Sequence, residues 1–378
     1  MKKKVALVTS VIDNREGRGT ALVARELLTR LLSETDEFDF VLIHHEPTDN
    51  PIYTEHPTLL IPHLPRPFDR QIFREAMFWI RLRLTGTRFD VVHYFNPRVW
   101  PSYVLSTGPI VVTAHEAGLM LNLSTPSFGD RVFQFTYRFL HSRMRCVIAV
   151  SEFGKKEIAK YCKIPENRIS VIPNALSSSF VPSELAERAA YLRTTYSFPS
   201  PYILSVGRLD PHKNILRLID AYAEARAHGI QESLVLVGGR HLPDYSEKVE
   251  SKITALGLSE YVFIAPFIPD TDLPHVYAEA RALIYPSLHE GFGLPILEAA
   301  ACGTPIAAAN TTSLPEIAGD AALFFDPLDT TAMSEAMVRI VSDVSYREDL
   351  IKAGFARLQA FSWERGAEQL VSIYRSLR

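Results

Sequence analysis

The sequence predicts an α/β protein built from two doubly wound parallel sheets. Three observations carry this. Short apolar runs rich in valine, isoleucine and alanine alternate with amphipathic stretches, the signature of βαβ units around a buried parallel sheet. The rhythm breaks once, at 176–200, and then restarts. A length of 378 residues, 47% hydrophobic and 22% charged, suits two cores at roughly 100–200 residues per domain.

In the first half, V-A-L-V-T-S (5–10) reads as the first buried strand. The lysines before it give a superficial likeness to a secretory leader, but Thr9 and Ser10 interrupt the apolar stretch and no small-residue cleavage site follows. A helix is expected over 20–32, where Leu22, Val23, Leu27, Leu28, Leu31 and Leu32 fall at helical spacing. Strands follow at F-D-F-V-L-I (38–43), F-D-V-V-H-Y (89–94), P-I-V-V-T-A (109–114) and C-V-I-A-V (146–150), and V-I at 171–172 closes a first domain of 1–175. The connection at 176–200 holds Ser177 to Ser179, Pro182 and Pro199-Ser200-Pro201. A second domain, 201–360, runs through Y-I-L-S-V-G (202–207), S-L-V-L-V-G-G (233–239), V-F-I-A-P-F (262–267), A-L-I-Y-P-S (282–287), T-P-I-A-A-A (304–309) and A-A-L-F-F (321–325), with helices between. In such sheets ligands sit beyond the carboxyl ends of the strands, so chemistry is sought there.

Composition excludes several classes. The three cysteines, Cys146, Cys162 and Cys302, show no C-x-x-C spacing, so neither a disulfide framework nor a zinc knuckle is expected, and a reducing, cytoplasmic setting is. Net charge is −3, with the first 175 residues at 23 basic against 18 acidic and the remainder at 17 against 25. Neither half is basic enough for a nucleic-acid binder. No segment reaches the 18 or so apolar residues of a spanning helix.

The stretch richest in chemistry is Glu290-G-F-G-L-P-I-L-Glu298. Gly291 and Gly293 let backbone approach a ligand, Pro295 suits a first helical turn and Gly303 a stop. The free amides of that turn make an anion site, and Glu290 and Glu298 put a carboxylate at either end, which suits sugar hydroxyls. The plainer alternative is a glycine loop with two solvated glutamates. In Gly207-Arg208-Leu209-Asp210-Pro211-His212-Lys213-Asn214 a strand ends in an arginine, and a lysine precedes a helix, so Arg208 and Lys213 are candidate phosphate ligands. A helix start with Asn214 as N-cap and two solvated cations is the alternative. Gly17-Arg18-Gly19 lies between the first strand and helix, lacks the third glycine of a dinucleotide fingerprint, and suits close approach to some other ligand. His115 sits past a strand end, where it is either structural or a hydrogen-bonding or acid/base group. Asp270-Thr271-Asp272 has the form of a divalent-metal site, but helix capping before Pro274 explains it more cheaply, and no metal is expected.

Residues 66–88 hold six arginines and two acids. On a helix, Arg70, Arg74 and Arg81 line one stripe while Ile72, Phe73, Ala76, Met77, Phe78, Trp79 and Ile80 cover most of the rest. Two readings stay open: a surface for an anionic membrane or lipid-linked acceptor, and a core helix with one wet edge.

E-G-F-G-L-P-I-L-E is similar to the E-x7-E signature of the retaining glycosyltransferases of family 4. V-G-R-L-D-P-H-K-N-I, V-I-P-N-A, V-S-E-F-G-K-K-E and S-L-P-E-I-A-G-D-A-A resemble that family's other landmarks in their usual order. The resemblance implies the GT-B fold: two Rossmann-like domains facing across a cleft, the N-terminal one binding the acceptor and the C-terminal one a nucleotide-diphosphate sugar, with a helix in 361–378 crossing back to the first domain. By position it implies that Arg208 and Lys213 hold the diphosphate, Glu298 the ribose hydroxyls and Glu290 those of the transferred sugar. Phe292, Gly293 and Leu294 would offer amides, Gly19 would approach the diphosphate, and His115 would reach the sugar. L-D-P-x-K-N-I resembles bacterial polysaccharide mannosyltransferases, which favours GDP-mannose as donor. The expected activity is metal-independent, cofactor-free hexosyl transfer with retention, to a glycan or lipid-linked acceptor, in the cytoplasm, with peripheral contact at the inner face of an anionic membrane only under the first of the two readings of residues 66–88. A glycoside hydrolase using Glu290 and Glu298 and a non-catalytic nucleotide-sugar-binding module are the competing readings.

Overall fold

The computed structural model describes residues 2–13, 19–33, 36–46, 50–66, 69–96, 102–115, 135, 141–177, 180, 188–240 and 242–377. The chain divides into two compact units, Met1–Asn174 with Ser362–Arg378, and Ala175–Phe361.

The first unit is built on seven parallel strands, β1 (Lys3–Val8), β2 (Phe38–His44), β3 (Thr58–Leu60), β4 (Val91–Tyr94), β5 (Ile110–Ala114), β6 (Met144–Ala149) and β7 (Ile169–Val171). They lie in the order β3-β2-β1-β4-β5-β6-β7. Every residue of β4 and β5 is buried, as expected where helices cover both faces of a parallel sheet. The helices are α1 (Thr20–Leu31), α2 (Pro51–Thr54), α3 (Gln71–Leu84), α4 (Ser102–Leu105) and α5 (Glu152–Cys162). Helix α1 buries Ala21, Val23, Ala24, Leu27, Leu28 and Leu31, the three-and-four spacing read from the sequence. Edge strand β3 was not expected, because three residues of Thr-Leu-Leu carry no periodicity.

Helix α3 corrects the even stripe of arginines. Phe78, Trp79 and Leu82 join the core of the unit, while Phe73, Met77, Ile80 and Leu84 stay exposed. Arg74 turns inward: its guanidinium donates to the carbonyls of His45 (2.6 Å), Ile61 (3.0 Å) and Pro62 (3.2 Å) and pairs with Glu46 at 3.0 Å. With four of its five donors committed and the side chain buried, Arg74 fastens α3 to the ends of β2 and β3 and is no membrane or acceptor contact. Arg70 and Arg81 are exposed.

The second unit holds β8 (Tyr202–Val206), β9 (Ser233–Val237), β10 (Val262–Ile264), β11 (Leu283–Tyr285), β12 (Ile306–Ala309) and β13 (Ala322–Phe325), parallel in the order β10-β9-β8-β11-β12-β13. Its helices are α6 (Arg188–Tyr196), α7 (Ile215–Ala227), α8 (Pro243–Ala255), α9 (Leu273–Glu279), α10 (Leu294–Ala301), α11 (Leu314–Ala318), α12 (Thr330–Ser342) and α13 (Val344–Leu358). Strand order reverses between β1 and β4 in one sheet and between β8 and β11 in the other, so each sheet has a switch point where the loops leave in opposite directions.

The last helix, α14 (Trp363–Ser376), packs in the first unit. Ser362 caps it through the Arg365 amide, and Trp363, Gly366, Ala367, Leu370, Val371 and Tyr374 form its buried stripe. A Cβ at Gly366 would meet Ile172 at 3.2 Å, so the glycine permits close packing. Lys3 Nζ donates to the carbonyls of Tyr374, Arg375 and Leu377, and Tyr374 OH lies 2.5 Å from Nδ1 of buried His93 on β4. The other ring nitrogen of His93 lies 2.8 Å from Thr113 Oγ1. Burial pushes the His93 imidazole down to about 3, so it is neutral and holds helix to sheet by hydrogen bonds rather than by charge.

No described helix is long and apolar enough to cross a membrane.

Candidate active site

The chemistry-bearing residues of the second unit gather at its switch point. Lys213 follows β8 and Glu290 follows β11, the two strands between which the order reverses. Their ammonium and carboxylate pair at 2.5 Å, and Tyr285, at the end of β11, receives a second Lys213 hydrogen bond at 3.2 Å. Lys213 also lies 5.3 Å from the centre of the Tyr285 ring. Burial pushes the Glu290 carboxyl up, but Lys213 and the surrounding hydroxyls more than offset it and hold it below the ordinary glutamate range. Burial and Glu290 together push the Tyr285 hydroxyl well above the tyrosine range. At neutral pH the site therefore contains a cation, an anion and a proton-holding phenol in mutual contact.

Backbone geometry fixes these side chains. The Leu288 amide donates to the His212 carbonyl at 2.7 Å, tying the loop after β11 to the loop after β8. Gly207 and Gly238, with φ of 151° and 156°, let the ends of β8 and β9 touch, and a Cβ at Gly238 would lie 1.9 Å from the Gly207 carbonyl oxygen. Asn214 does not cap α7 with its side chain, contrary to one reading of the sequence. It sits in the left-handed region and sends Nδ2 to the carbonyls of Pro286 (3.2 Å) and Pro327 (2.7 Å), which fastens the end of the lysine loop. Arg208 stays half-exposed, and Asp210, itself buried, pairs with it at 3.0 Å.

The glycine loop enters α10 as the sequence suggested. Gly293 occupies its N-cap with φ 106°, Pro295 lies in the first turn, and a Cβ at Gly293 would meet Leu314 at 2.8 Å. Ser313 Oγ donates to the carbonyls of Glu290 (3.0 Å) and Phe292 (2.8 Å), pinning the loop from the neighbouring segment. The first amides of a helix have no carbonyl one turn earlier to bond, so Phe292, Gly293 and Leu294 lie where a chain end offers N–H groups to an anion. The Phe292 ring packs edge-on against Phe361 at 5.7 Å, so its side chain anchors the loop. Glu298, in the next turn, accepts the Tyr277 hydroxyl at 2.6 Å. Burial and that carboxylate push Tyr277 well above the tyrosine range, so the phenol keeps its proton and orients Glu298.

Three residue roles were not legible beforehand. Tyr285 and Tyr277 read as core aromatics, and nothing in their spacing marks a hydroxyl aimed at a carboxylate; Ser313 opens the S-L-P-E-I-A-G-D-A-A landmark, but no role for its hydroxyl follows from that resemblance. Asp272 corrects the cheaper reading of the D-x-D run: its carboxylate makes no cap to α9 and instead accepts the hydroxyls of Tyr191 (2.8 Å) and Tyr196.

In the first unit, Gly19 and His115 lie at the carboxyl edge of the sheet, after β1 and β5. Gly19 is the N-cap of α1 in a positive-φ conformation, with open space where a Cβ would stand. Gly17 falls outside the described residues. His115 Nε2 lies 3.3 Å from the Phe95 carbonyl, which only accepts, so that nitrogen carries the hydrogen and Nδ1 presents its lone pair. Burial pushes this imidazole down to about 4. It is neutral near pH 7, which suits accepting a hydrogen bond better than donating a proton.

Two parallel-sheet units, one carrying a cation–carboxylate pair and a helix N-terminus at its switch point, are the architecture of a GT-B glycosyltransferase. Residues 17–180 match the family model described as Glycosyltransferase Family 4, and residues 197–357 match Glycosyl transferases group 1. The chain belongs to glycosyltransferase family 4 and resembles bacterial mannosyltransferases. Over 256 residues it is 36% identical to O-antigen chain mannosyltransferase B of Escherichia coli, covering 66% of this chain and 65% of that one. It is 31% identical over 273 residues to the serotype-specific mannosyltransferase WbdA of Escherichia coli, 71% of this chain but only 33% of the relative. The chain thus spans just under two thirds of one such relative and a third of another. Solved structures agree on the fold: sucrose-phosphate synthase from Thermosynechococcus elongatus superposes with a TM-score of 0.78 at 22% identity over 100% of this chain and 99% of that one. Anabaena HepE in complex with UDP and glucose gives 0.77 at 18% identity, over the whole of both chains.

Proposed function

We propose that this chain is a hexosyltransferase that takes its sugar, with mannose favoured, from a nucleotide-diphosphate donor and passes it with retention to a glycan or lipid-linked acceptor. The observation that carries the reading is the Lys213–Glu290 pair beside the amide end of α10. Breaking a sugar–phosphate bond puts negative charge on the departing diphosphate, and cations and amides already in position stabilise that charge most in the transition state. Lys213, Arg208 and the amides of Phe292 to Leu294 supply them, so no metal is required by this mechanism, and no cofactor. Glu298, held by Tyr277, would accept the ribose hydroxyls, and Glu290 those of the transferred sugar. His115 would accept a sugar hydroxyl at Nδ1, and Gly19 would leave room for the diphosphate.

Hydrolysis by Glu290 and Glu298 fits less well. A glycosidase needs one carboxylic acid with a raised pKa, whereas Lys213 holds Glu290 down. The mannosyl preference rests on the E. coli relatives, and the phosphate-binding reading is consistent with the UDP complex of HepE. A panel of UDP-, GDP-, dTDP- and ADP-sugars, monitored for nucleotide release with and without chelator, tests both. Release from GDP-mannose undiminished by chelator is expected, and release from none of the donors in the presence of glycan and lipid acceptors leaves the binding-module reading in its place. The exposed row Phe73, Met77, Ile80 and Leu84, flanked by Arg70 and Arg81, is the surface we assign to peripheral contact with an anionic membrane.

A further inference from the structure

The first unit carries a polar cavity at the opposite edge of its sheet from Gly19 and His115. Its lining comes from segments that precede strands: Arg88 before β4, Ser106 to Gly108 before β5, and Arg143 before β6, with Arg83 from the last turn of α3. It has a volume of about 500 Å³. Ligands of doubly wound sheets gather at the carboxyl ends of the strands, so this cavity is separate from the site described above.

Its construction is that of a receptor for an anion. Arg83 donates to the carbonyls of Val104 (3.2 Å), Leu105 (2.7 Å) and Ser106 (3.3 Å), so one arginine is spent on building the wall. Gly86, with φ 72°, ends α3 by donating to the Arg83 carbonyl at 3.1 Å. A Cβ at Gly108 would lie 2.3 Å from the Phe89 carbonyl oxygen, so only glycine lets the two loops close against each other. Among the described residues, Arg88 and Arg143, by contrast, make no ion pair or hydrogen bond, and no carboxylate lines the cavity. Two hydroxyls in the wall, Ser106 Oγ and Thr107 Oγ1, are buried without a hydrogen-bond partner among the described residues, although Ser106 is only 4% exposed. An unpaired buried hydroxyl costs about 1–3 kcal/mol, a cost that an oxygen-rich ligand would relieve.

We infer that this cavity binds a phosphate group. Two guanidinium forks suit tetrahedral oxyanions, and two hydroxyls suit their remaining oxygens. The phosphate is either free or the headgroup of a lipid. Leu84, 83% exposed, is next to Arg83 in the chain and ends the apolar row of α3, so a lipid phosphate in the cavity would bring its chains toward that row. The inference does not rest on the transferase reading.

Calorimetric titration of the full chain with inorganic phosphate tests it, alongside vesicle flotation with phosphatidylcholine alone and with added phosphatidic acid. Arg88→Gln with Arg143→Gln, two exposed positions outside the active site, should weaken phosphate binding by about tenfold or more while leaving nucleotide release with a soluble acceptor unchanged. Ser106→Ala should weaken it by about threefold. Retention on phosphatidic acid vesicles that the double variant abolishes supports a lipid headgroup; binding of inorganic phosphate without retention supports a soluble phosphate. Phosphate binding that survives Arg88→Gln with Arg143→Gln but disappears in Lys213→Ala overturns the inference and leaves the transferase reading intact. Absence of phosphate binding and of vesicle retention in the wild-type chain also overturns it.

Discussion

The loop 287–298 and the helix Gln71–Leu84 are both rich in signals, yet they differ in how their side chains are placed. In the loop the backbone does the placing. Gly293 in a positive-φ N-cap, Pro295 in the first turn and a strand ending at Tyr285 leave Glu290 and Glu298 little choice of position. In the helix the partners do it. Apolar residues surround most of its circumference, so periodicity alone does not say which face is buried, and the decision falls to the groups it meets, His45, Glu46, Ile61 and Pro62. Residues fixed by local conformation can be read from a sequence. Residues fixed by tertiary partners are assigned only once the partners are known.

Lys213→Ala gives the largest effect if the loop is a preorganised electrostatic site. Loss of one such group costs about 10²–10³-fold in turnover of the folded protein, with a smaller fall in stability, because Lys213 is only 14% exposed and its removal leaves a buried carboxylate that keeps the Tyr285 and Ser287 hydroxyls. A fall in stability equal to the loss of turnover would make the pair a structural one and break the contrast. Arg208→Ala should follow the same pattern more weakly, since Arg208 is half-exposed and, among the described residues, held by Asp210 alone.

Arg74→Ala should do the reverse. Removing a guanidinium 7% exposed and bonded to three carbonyls and Glu46 leaves those acceptors unpaired, at about 2–4 kcal/mol by denaturant titration. Turnover of the protein that remains folded should be unchanged. Arg70→Ala and Arg81→Ala, on the same helix but exposed, should stay within about 0.5 kcal/mol of the parent. Equal costs for all three would restore the even stripe that the sequence suggested.

Gly293→Ala sharpens the other side of the comparison. At φ 106° a side chain is strained, and its Cβ would lie 2.8 Å from Leu314, so about 1–3 kcal/mol is expected together with poorer nucleotide binding as the amides shift. Gly19→Ala, at positive φ but in open space, should cost less.

Much of the architecture was legible for the same reason as the loop. Both sheets, the break between them and the signature residues depend on runs of buried strand residues and on glycine and proline positions, which are local properties. The polar partnerships were not. His93 reads as one histidine in an apolar strand, and its links to Tyr374 and Thr113 join residues 281 and 20 positions away. Tyr277 and Tyr285 are indistinguishable from core aromatics until Glu298 and Glu290 arrive beside them. Asp272 and Asn214 each sit where a helix cap is expected and spend their side chains elsewhere, because a tyrosine pair and two loop carbonyls are within reach.

The pH dependence of stability separates the two units by a smaller margin. His93 and His115 are neutral when folded, at about 3 and about 4, and take up protons near 6.5 when unfolded. The unfolded chain therefore binds more protons between those values, so the contribution of these histidines to stability is intact above about pH 6.5 and is lost progressively as pH falls toward 4 and then 3. Glu290, also depressed, retains its contribution above the ordinary glutamate range and loses it only as pH falls below that. Denaturant titrations at pH 7.5 and 5.5 should thus show a loss that His93→Gln reduces and Glu290→Gln leaves in place. If His93→Gln leaves the loss between these two pH values unchanged, the acid sensitivity lies outside the His93–Tyr374 link, and the anchoring of α14 is not what titrates.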